Sequence, residues 1–308
     1  MASELDWTGL RVLVTGGRGF LGGHLVAALR DRGADPVAVG RAEADLRDRA
    51  ATTRLFYDIR PDAVVHAAVE GGGIGWMKAH PVESGQDNAR MNLNALEAAA
   101  RHDVRVFVGV SSACVYPRLC PVPFVEAAIW DGYPEPTNGP YALSKRLMMD
   151  LGRAYTEQHG LHCVFPVLAN LYGPGDHTSP ERAHVVADLM IRCAQTPDEL
   201  VVWGTGQATR EFLYVSDAAE GILACAAGPP GPVNIGSGQE VAIRDLAAAV
   251  IAAWDLDVPI RLDRDRPDGQ PRKCLSVARA EATLGWRAQT ELARGLRQTA
   301  AWYREQLS

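Results

Sequence analysis

The feature that most limits what this chain can fold into is an alternation of two kinds of segment. Short, continuously apolar runs recur through its first half: "RVLVT" (Arg11–Thr15), "PVAVG" (Pro36–Gly40), "DAVVHAA" (Asp62–Ala68), "VRVFVGVSS" (Val104–Ser112) and "LHCVFPVLAN" (Leu161–Asn170). Between them lie stretches of helical periodicity such as "FLGGHLVAALRDRG", "NARMNLNALEAAARHD" and "YALSKRLMMDLGRAYTEQHG". A strand that is apolar at every residue needs cover on both faces, and a parallel sheet between helices supplies it. Crossovers in such a sheet are right-handed, so the expected architecture is α/β, a doubly wound parallel sheet.

After Asn170 the rhythm changes. "LYGPGDHTSPERAH" is rich in Gly, Pro and charge and reads as a loop or boundary. A helix near Ala183–Ala194, strand-like "LVVWG" and "REFLYV", the helix "SDAAEGILACAA", "GPVNIGSG", the helix "RDLAAAVIAAW" and a terminal helix near Glu291–Gln306 follow. The expectation is a first domain over residues 1–170 and a smaller C-terminal α/β lobe over 171–308, with part of 210–236 returning to the first. A length of 308 residues suits two such lobes.

Composition narrows the partners. A net charge of −6 argues against nucleic-acid binding. No apolar run approaches the ~18 residues that span a bilayer, and "MASELDWTGL" lacks the layout of a signal peptide, so a cytoplasmic, membrane-free protein is expected. The cysteines, at 114, 120, 163, 193, 225 and 274, form no Cys-x-x-Cys and no zinc spacing. They read as reduced thiols, mostly buried, with no metal site expected. Cys114 stands apart, because it follows the end of the fourth apolar run by two residues.

"TGGRGFLG" follows the first strand and opens the first helix. Gly16, Gly19 and Gly22 suit, in order, a tight turn, the approach of a pyrophosphate and close packing of helix on strand. The free N–H groups of the helix N-terminus complete a dinucleotide site. The second strand ends in "AVGRAEADL", where an NAD site usually carries an acid for the ribose hydroxyl. Arg41, joined by Arg18 of the glycine loop, instead suits the 2′-phosphate of NADP. NAD is the less favoured reading, in which Glu43 or Asp45 holds the free ribose.

"PYALSK" places Tyr141 and Lys145 four apart on one helix face. An ammonium beside a phenol lowers the phenol's pKa toward the range useful for acid–base work. Ser112 stands at the carboxyl end of the fourth strand, where open α/β sheets bind ligands.

At these residues the chain resembles the extended short-chain dehydrogenase/reductase superfamily, with Ser112, Tyr141, Lys145 and Asn88 matching its tetrad. The stretches "SSACVYPRL", "EPTNGPYALSK", "NLYGPGD", "VVWGTGQATREFLYVSD" and "RPDGQPRK" resemble, nearly end to end, the GDP-L-fucose synthase family. Those proteins are 3,5-epimerase/4-reductases of GDP-4-keto-6-deoxy-D-mannose. The resemblance implies NADPH as reductant, a nucleotide-diphosphate sugar as substrate, and a homodimer built on the helices of Asn88 and Tyr141. It implies a cofactor bed of Gly16, Arg18, Gly19, Phe20, Leu21, Gly22, Arg41, Asp45, Leu46, Ala67, Ala68, Asn88, Val110, Ser111, Tyr141, Lys145, Leu168, Asn170, Leu171 and His184. It implies contacts to the nucleotide sugar from Ser112, Cys114, Asn170, Arg192, Trp203, Arg210, Asp268 and Lys273. Inverting two carbons beside a ketone needs two proton carriers on opposite faces. A thiol and an imidazole have suitable ordinary pKa values, ~8.5 and ~6.5, and the family's cysteine and histidine match Cys114 and His184.

Some segments depart from the family. "GGGIGWMKAHPVESGQDN" keeps its glycine-rich character but little else, and Ala113 and Ala183 stand where the family has serines. Because these positions border sugar and nucleotide, a heptose or an antibiotic sugar is an alternative substrate. A second alternative is a nucleotide-sugar epimerase without net reduction. A non-catalytic NADP-binding scaffold is weaker, since Tyr141 and Lys145 are both kept, and a metal site on His177 and His184 lacks a third ligand.

Overall fold

The computed structural model describes residues 5–179, 183–195, 198–266 and 269–307. In chain order the first half contains β1 (Arg11–Thr15), α1 (Phe20–Asp31), β2 (Asp35–Val39), α2 (Arg49–Ile59), β3 (Ala63–His66), α3 (Ile74–Ala79), α4 (Pro81–Arg101), β4 (Val106–Gly109), β5 (Ser111–Ser112) and α5 (Gly139–His159). Then come β6 (His162–Leu168), β7 (Asn170–Tyr172), α6 (Val185–Ala194), β8 (Leu200–Trp203), β9 (Thr209–Tyr214), α7 (Val215–Cys225), β10 (Gly231–Ile235) and β11 (Glu240–Ala242). The chain finishes with α8 (Ile243–Ala253), β12 (Ile260–Asp263), α9 (Ala278–Leu284) and α10 (Leu292–Leu307). No helix among the described residues is long and apolar enough to cross a membrane.

The main sheet runs β2-β1-β3-β4-β6-β10, all parallel. This is the doubly wound α/β sheet that the alternation demands. Val12, Leu13, Val14, Val64, Val65, Phe107, Val108, Val164 and Phe165 are buried on its two faces, each worth about 1.5–3 kcal/mol of apolar burial. Strand order reverses at β1, which has β2 on one side and β3 on the other, so a ligand crevice opens at their carboxyl ends.

Two of the expected strands prove to be two pieces each, for one reason. The run Val104–Ser112 stops pairing with β3 at Gly109, and the Val110 N–H donates to the His66 carbonyl. Beyond it β5 pairs with β6 alone. The run Leu161–Asn170 leaves the sheet at Ala169, whose N–H donates to Ile235, and β7 then joins a separate sheet ordered β11-β9-β7. In both places the strand outruns its neighbours and must find new partners for its amides. The glycine-rich segment after β3 is not all loop either, since it closes into the short helix α3.

A second apolar core lies beyond β7. Tyr172, Val186, Leu189, Met190, Leu246, Val250, Leu296, Ala300 and Tyr303 meet there, between α6, α8 and α10. The chain crosses back with α7, which packs on α1 and β6, and with β10, which completes the main sheet. Asn234 on β10 ties distant segments together. Its Oδ1 accepts from the Tyr116 hydroxyl at 2.6 Å, and its Nδ2 donates to the carbonyls of Phe124 and Ser276.

Behind the carboxyl edge lies a buried polar chain. Thr15 Oγ1 and His66 Nδ1 are 2.8 Å apart, His66 Nε2 is 3.0 Å from Asn92 Oδ1, and Asn92 donates to the Ser144 carbonyl. An amide oxygen only accepts, so Nε2 carries the proton and Thr15 donates to Nδ1. Burial, aided by the Lys145 charge, lowers the His66 pKa from 6.5 to about 3. The unfolded chain therefore binds a proton across this window that the folded chain refuses, so stability is lost as pH falls from about 6.5 toward about 3. Urea unfolding against pH is expected to show that decline, and His66→Gln to flatten it.

Candidate active site

The glycine turn shows what its spacing is for. Gly16 sits at φ +68°, and a Cβ there would lie 2.8–2.9 Å from the backbone of Ala67 and Ala68. A Cβ on Gly22 would collide with the Gly16 carbonyl oxygen, so the glycine is what lets α1 rest against β1. Gly17, which the spacing leaves out, is equally confined, because a Cβ there would lie 2.7 Å from the Val14 carbonyl oxygen and 2.8 Å from Ala38. Gly19 is different. It is the N-cap of α1 and has no side chain to cap with, and a Cβ there would meet only the Gly16 carbonyl, at 3.3 Å. The turn is thus closed toward the protein and accessible toward a ligand, with the first N–H groups of α1, from Phe20, Leu21 and Gly22, at the helix's positive end. These features fit a pyrophosphate.

At the end of β2 the two arginines do not converge on a single shared anion position. Arg18 pairs with Glu43 at 2.8 Å and Arg41 pairs with Glu70. Glu43 also accepts the Gly40 N–H at 2.7 Å, and these donors lower its pKa. Asp45 is held by Arg47, which keeps its carboxyl near 2, and the adjacent Leu46 is buried. Asn88 is fully buried and clamps the start of the α3 loop. It accepts the Glu70 N–H at 3.0 Å and donates to the carbonyls of Glu70 and Ser84, each at 2.7 Å.

The Tyr141 and Lys145 pair lies on α5, which packs against β5 and the tight turn Ala113–Val115 that follows it. Lys145 Nζ donates to the Val110 carbonyl at 2.9 Å and stands 5.9 Å from the Tyr141 ring centroid. Burial lowers this lysine from 10.5 to about 8. The expectation that Lys145 pulls the phenol down is not met here. Burial pushes the Tyr141 pKa up, and the charge of nearby Cys114 adds to the rise. Ser112 Oγ accepts the Cys114 N–H at 3.3 Å, while Asn138 Nδ2 donates to Cys114 Sγ at 3.1 Å. Ser111 Oγ is buried and, among the described residues, without a partner. Cys163, Cys193, Cys225 and Cys274 are buried, whereas Cys114 keeps some exposure.

The second core presents the other group. His184 is the N-cap of α6 and remains solvent-accessible. The protein around its ring lowers the imidazole pKa, while the buried carboxyl of Asp176 pulls the other way. Arg192, two turns along α6, pairs with Asp188 and donates to the Val201 carbonyl on β8. Trp203 ends β8 with its ring exposed and the Arg266 guanidinium 5.2 Å above it. Arg210 donates to the carbonyls of Thr209 and Gln270, and the Lys273 N–H donates to Thr209 from the facing segment. Asn170 donates to the Glu211 carbonyl, and Leu168 and Leu171 flank it where the chain leaves the sheet. Asp268 lies outside the described residues.

The residues brought together at one sheet edge are therefore Ser112, Cys114, Tyr141 and Lys145, with Asn138 among them. Sequence reading gave Asn138 no role, although it stands three positions before Tyr141 in the stretch that carries the resemblance. The His66–Asn92 chain was equally silent, because its members are 26 residues apart and meet only once α4 has packed on the sheet. A Gly22→Ala variant is expected to lose at least about 2 kcal/mol of stability and its protection by dinucleotide, both readable from thermal unfolding with and without cofactor.

Residues 12–236, the span from β1 through β10, match the NAD dependent epimerase/dehydratase family. GDP-L-fucose synthase 1 of Arabidopsis thaliana is 36% identical over 98% of this chain and 95% of its own length. A GDP-L-fucose synthetase from Naegleria fowleri, solved bound to NADP, is 28% identical with a TM-score of 0.86, covering 99% of this chain and 97% of that one. A GDP-6-OMe-4-keto-L-xylo-heptose reductase from C. jejuni reaches a TM-score of 0.91 at 21% identity over 99% of this chain and all of its own, a likeness of fold. The glycine cradle at β1, the tyrosine and lysine on α5 and a match of this length agree: the chain belongs to the NAD dependent epimerase/dehydratase family, as an enzyme of the extended short-chain dehydrogenase/reductase type.

Proposed function

We propose that this protein is a nucleotide-sugar 3,5-epimerase/4-reductase that uses NADPH to convert a GDP-4-keto-6-deoxy-mannose-like substrate into a GDP-L-fucose-like product. The observation that carries this reading is the thiol. Cys114 stands beside Tyr141 at the same sheet edge as Ser112 and Lys145, so one bound sugar can meet both a proton carrier and the reductase pair. The relatives that are named GDP-L-fucose synthases support the nucleotide and the sugar.

The C–H bonds on either side of a C4 ketone are acidified by it. Cys114 acts on one face of the ring and His184, heading α6, on the other. One removes the proton and its partner returns one, at C3 and again at C5, through enediolates of the substrate. Reduced nicotinamide, when bound, supplies hydride to C4. Tyr141 gives its proton to the oxygen that becomes an alkoxide, Ser112 donates a hydrogen bond to that oxygen, and Lys145 steadies the phenolate left behind. The raised phenol of the free protein suits a proton donor. Arg192, Arg210 and Lys273 supply cations for the diphosphate, and Trp203 a flat apolar face for sugar or base.

For the cofactor, NADP is favoured because Arg18 and Arg41 both lie at the ribose end. Glu43 is then a resident counter-ion that a 2′-phosphate must displace. The pair is open to water, so it holds the arginine only weakly. Glu43→Gln is accordingly expected to tighten NADPH by about two- to fivefold and leave NADH nearly unchanged in titrations of both.

The outward faces of α4 and α5 support a homodimer built on these two helices. These helices pack along each other yet leave Leu93, Leu143 and Leu147 37–42% exposed, the last two one turn apart on α5.

The deciding experiment is GDP-4-keto-6-deoxy-D-mannose with enzyme in D2O, with and without NADPH. NADPH consumption with two carbon-bound deuterons in the product is expected, and Cys114→Ser and His184→Gln should each abolish the deuteron uptake. Uptake without NADPH oxidation would make the protein an epimerase, and neither signal would overturn the substrate.

A further inference from the structure

Asn138 is placed where asparagine normally caps a helix, and it does not do so. It is the N-cap residue of α5, a position where the side-chain oxygen usually accepts an N–H from the first turn. Here no such bond forms. Among the described residues its Oδ1 is buried without a partner, while Nδ2 is turned to Cys114 Sγ at 3.1 Å. A side chain that forgoes its local bond and leaves an oxygen unsatisfied is held by something other than local structure.

The direction of the contact says what that is. An amide N–H can only donate, and a sulfur without its proton accepts far better than a neutral thiol, which has a hydrogen of its own to place. We infer that Asn138 is a positioning residue for Cys114, holding the sulfur as a hydrogen-bond acceptor at the sheet edge through the amide hydrogen. This rests on the proposed role of Cys114 as a proton carrier and adds to it the group that readies the sulfur.

The surroundings leave this task to Asn138. From α5, the titratable or charged groups at the Cys114 turn are Tyr141, whose pKa the Cys114 charge helps to raise, Lys145, whose ammonium is turned to Val110, and Arg146, whose guanidinium is turned to the carbonyls of Val115 and Gly132. From the chain itself, Ser112 Oγ bonds the Cys114 N–H, not its sulfur. Asn138 belongs to a short turn, Pro136–Asn138, on which α3 packs. The loop that departs most from the resembled family therefore backs the residue that holds the thiol.

The test reads the sulfur directly. Alkylation of Cys114 by iodoacetamide in the free, full-length enzyme is followed by peptide mass spectrometry against pH for wild type, Asn138→Asp and Asn138→Leu. Both variants are expected to move the alkylation midpoint to higher pH, the aspartate by more because it sets an anion against the sulfur. Near neutral pH the expected loss is about tenfold in alkylation rate and a similar loss in deuterium uptake by the sugar, with the KM for NADPH unchanged. Thermal unfolding checks that the near-isosteric aspartate variant is folded. Unchanged alkylation profiles in both folded variants would overturn the inference. If instead Cys114→Ser still exchanged sugar protons while the Asn138 variants shifted the alkylation profile, the proton-carrier role would fall and the contact would stand.

Discussion

Much of this structure depends on one buried ammonium and the carbonyl that receives it. Strand β4 runs out of a partner on its β3 side at Gly109. Val110, next in line, gives its N–H to His66 and its carbonyl to Lys145. A lysine almost wholly removed from water is costly, and this one is depressed to about 8. The contact places α5 against the sheet edge, so Tyr141, four residues before Lys145, and Ser112, two residues after Val110, share one end of the fold. Burial, helped by the same cation, keeps His66 neutral, which lets the imidazole serve as a fixed link between Thr15 and Asn92.

The cofactor end follows a different principle. It is assembled from backbone, where conformation matters more than side-chain chemistry. Gly16 and Gly22 leave no room for a Cβ, and the arginines beside them already carry glutamate counter-ions. Two kinds of preparation thus meet across the carboxyl edge: a cradle shaped by the absence of side chains, and a cluster of titratable groups whose protonation is set by burial and by one another.

How much of this was legible depended on the range of the interactions. The parallel sheet was readable because every residue of β1, β3 and β4 past the first position is buried, and continuous burial writes itself into composition. The spacing of Tyr141 and Lys145 was readable because a helix repeats. The breaks at Val110 and Ala169 were not, since both are apolar residues that suit a buried strand and each break depends on where another strand stops. The pairing of Arg18 with Glu43 and of Arg41 with Glu70 was hidden for a related reason. Sequence reading counts charges near a site but cannot say which are already matched. The phenol of Tyr141 carries the same lesson, because burial outweighs a cation that points elsewhere.

The turn bearing Cys114 has a further dependence, on time. Two residues on, Tyr116 is anchored to Asn234, 118 residues downstream, and Asn234 is in turn anchored to Ser276, a further 42 residues along. A chain emerging from the ribosome can close the glycine turn as soon as β1, α1 and β3 exist. It cannot secure the Cys114 turn until β10 has been made and docked against β6, and the last of those anchors waits for Ser276. Loop closures this long are slow to form. The glycine turn thus closes on residues no further along the chain than Ala68, whereas the Cys114 turn waits for Asn234 and Ser276, so the two ends of one site are completed at very different lengths of chain.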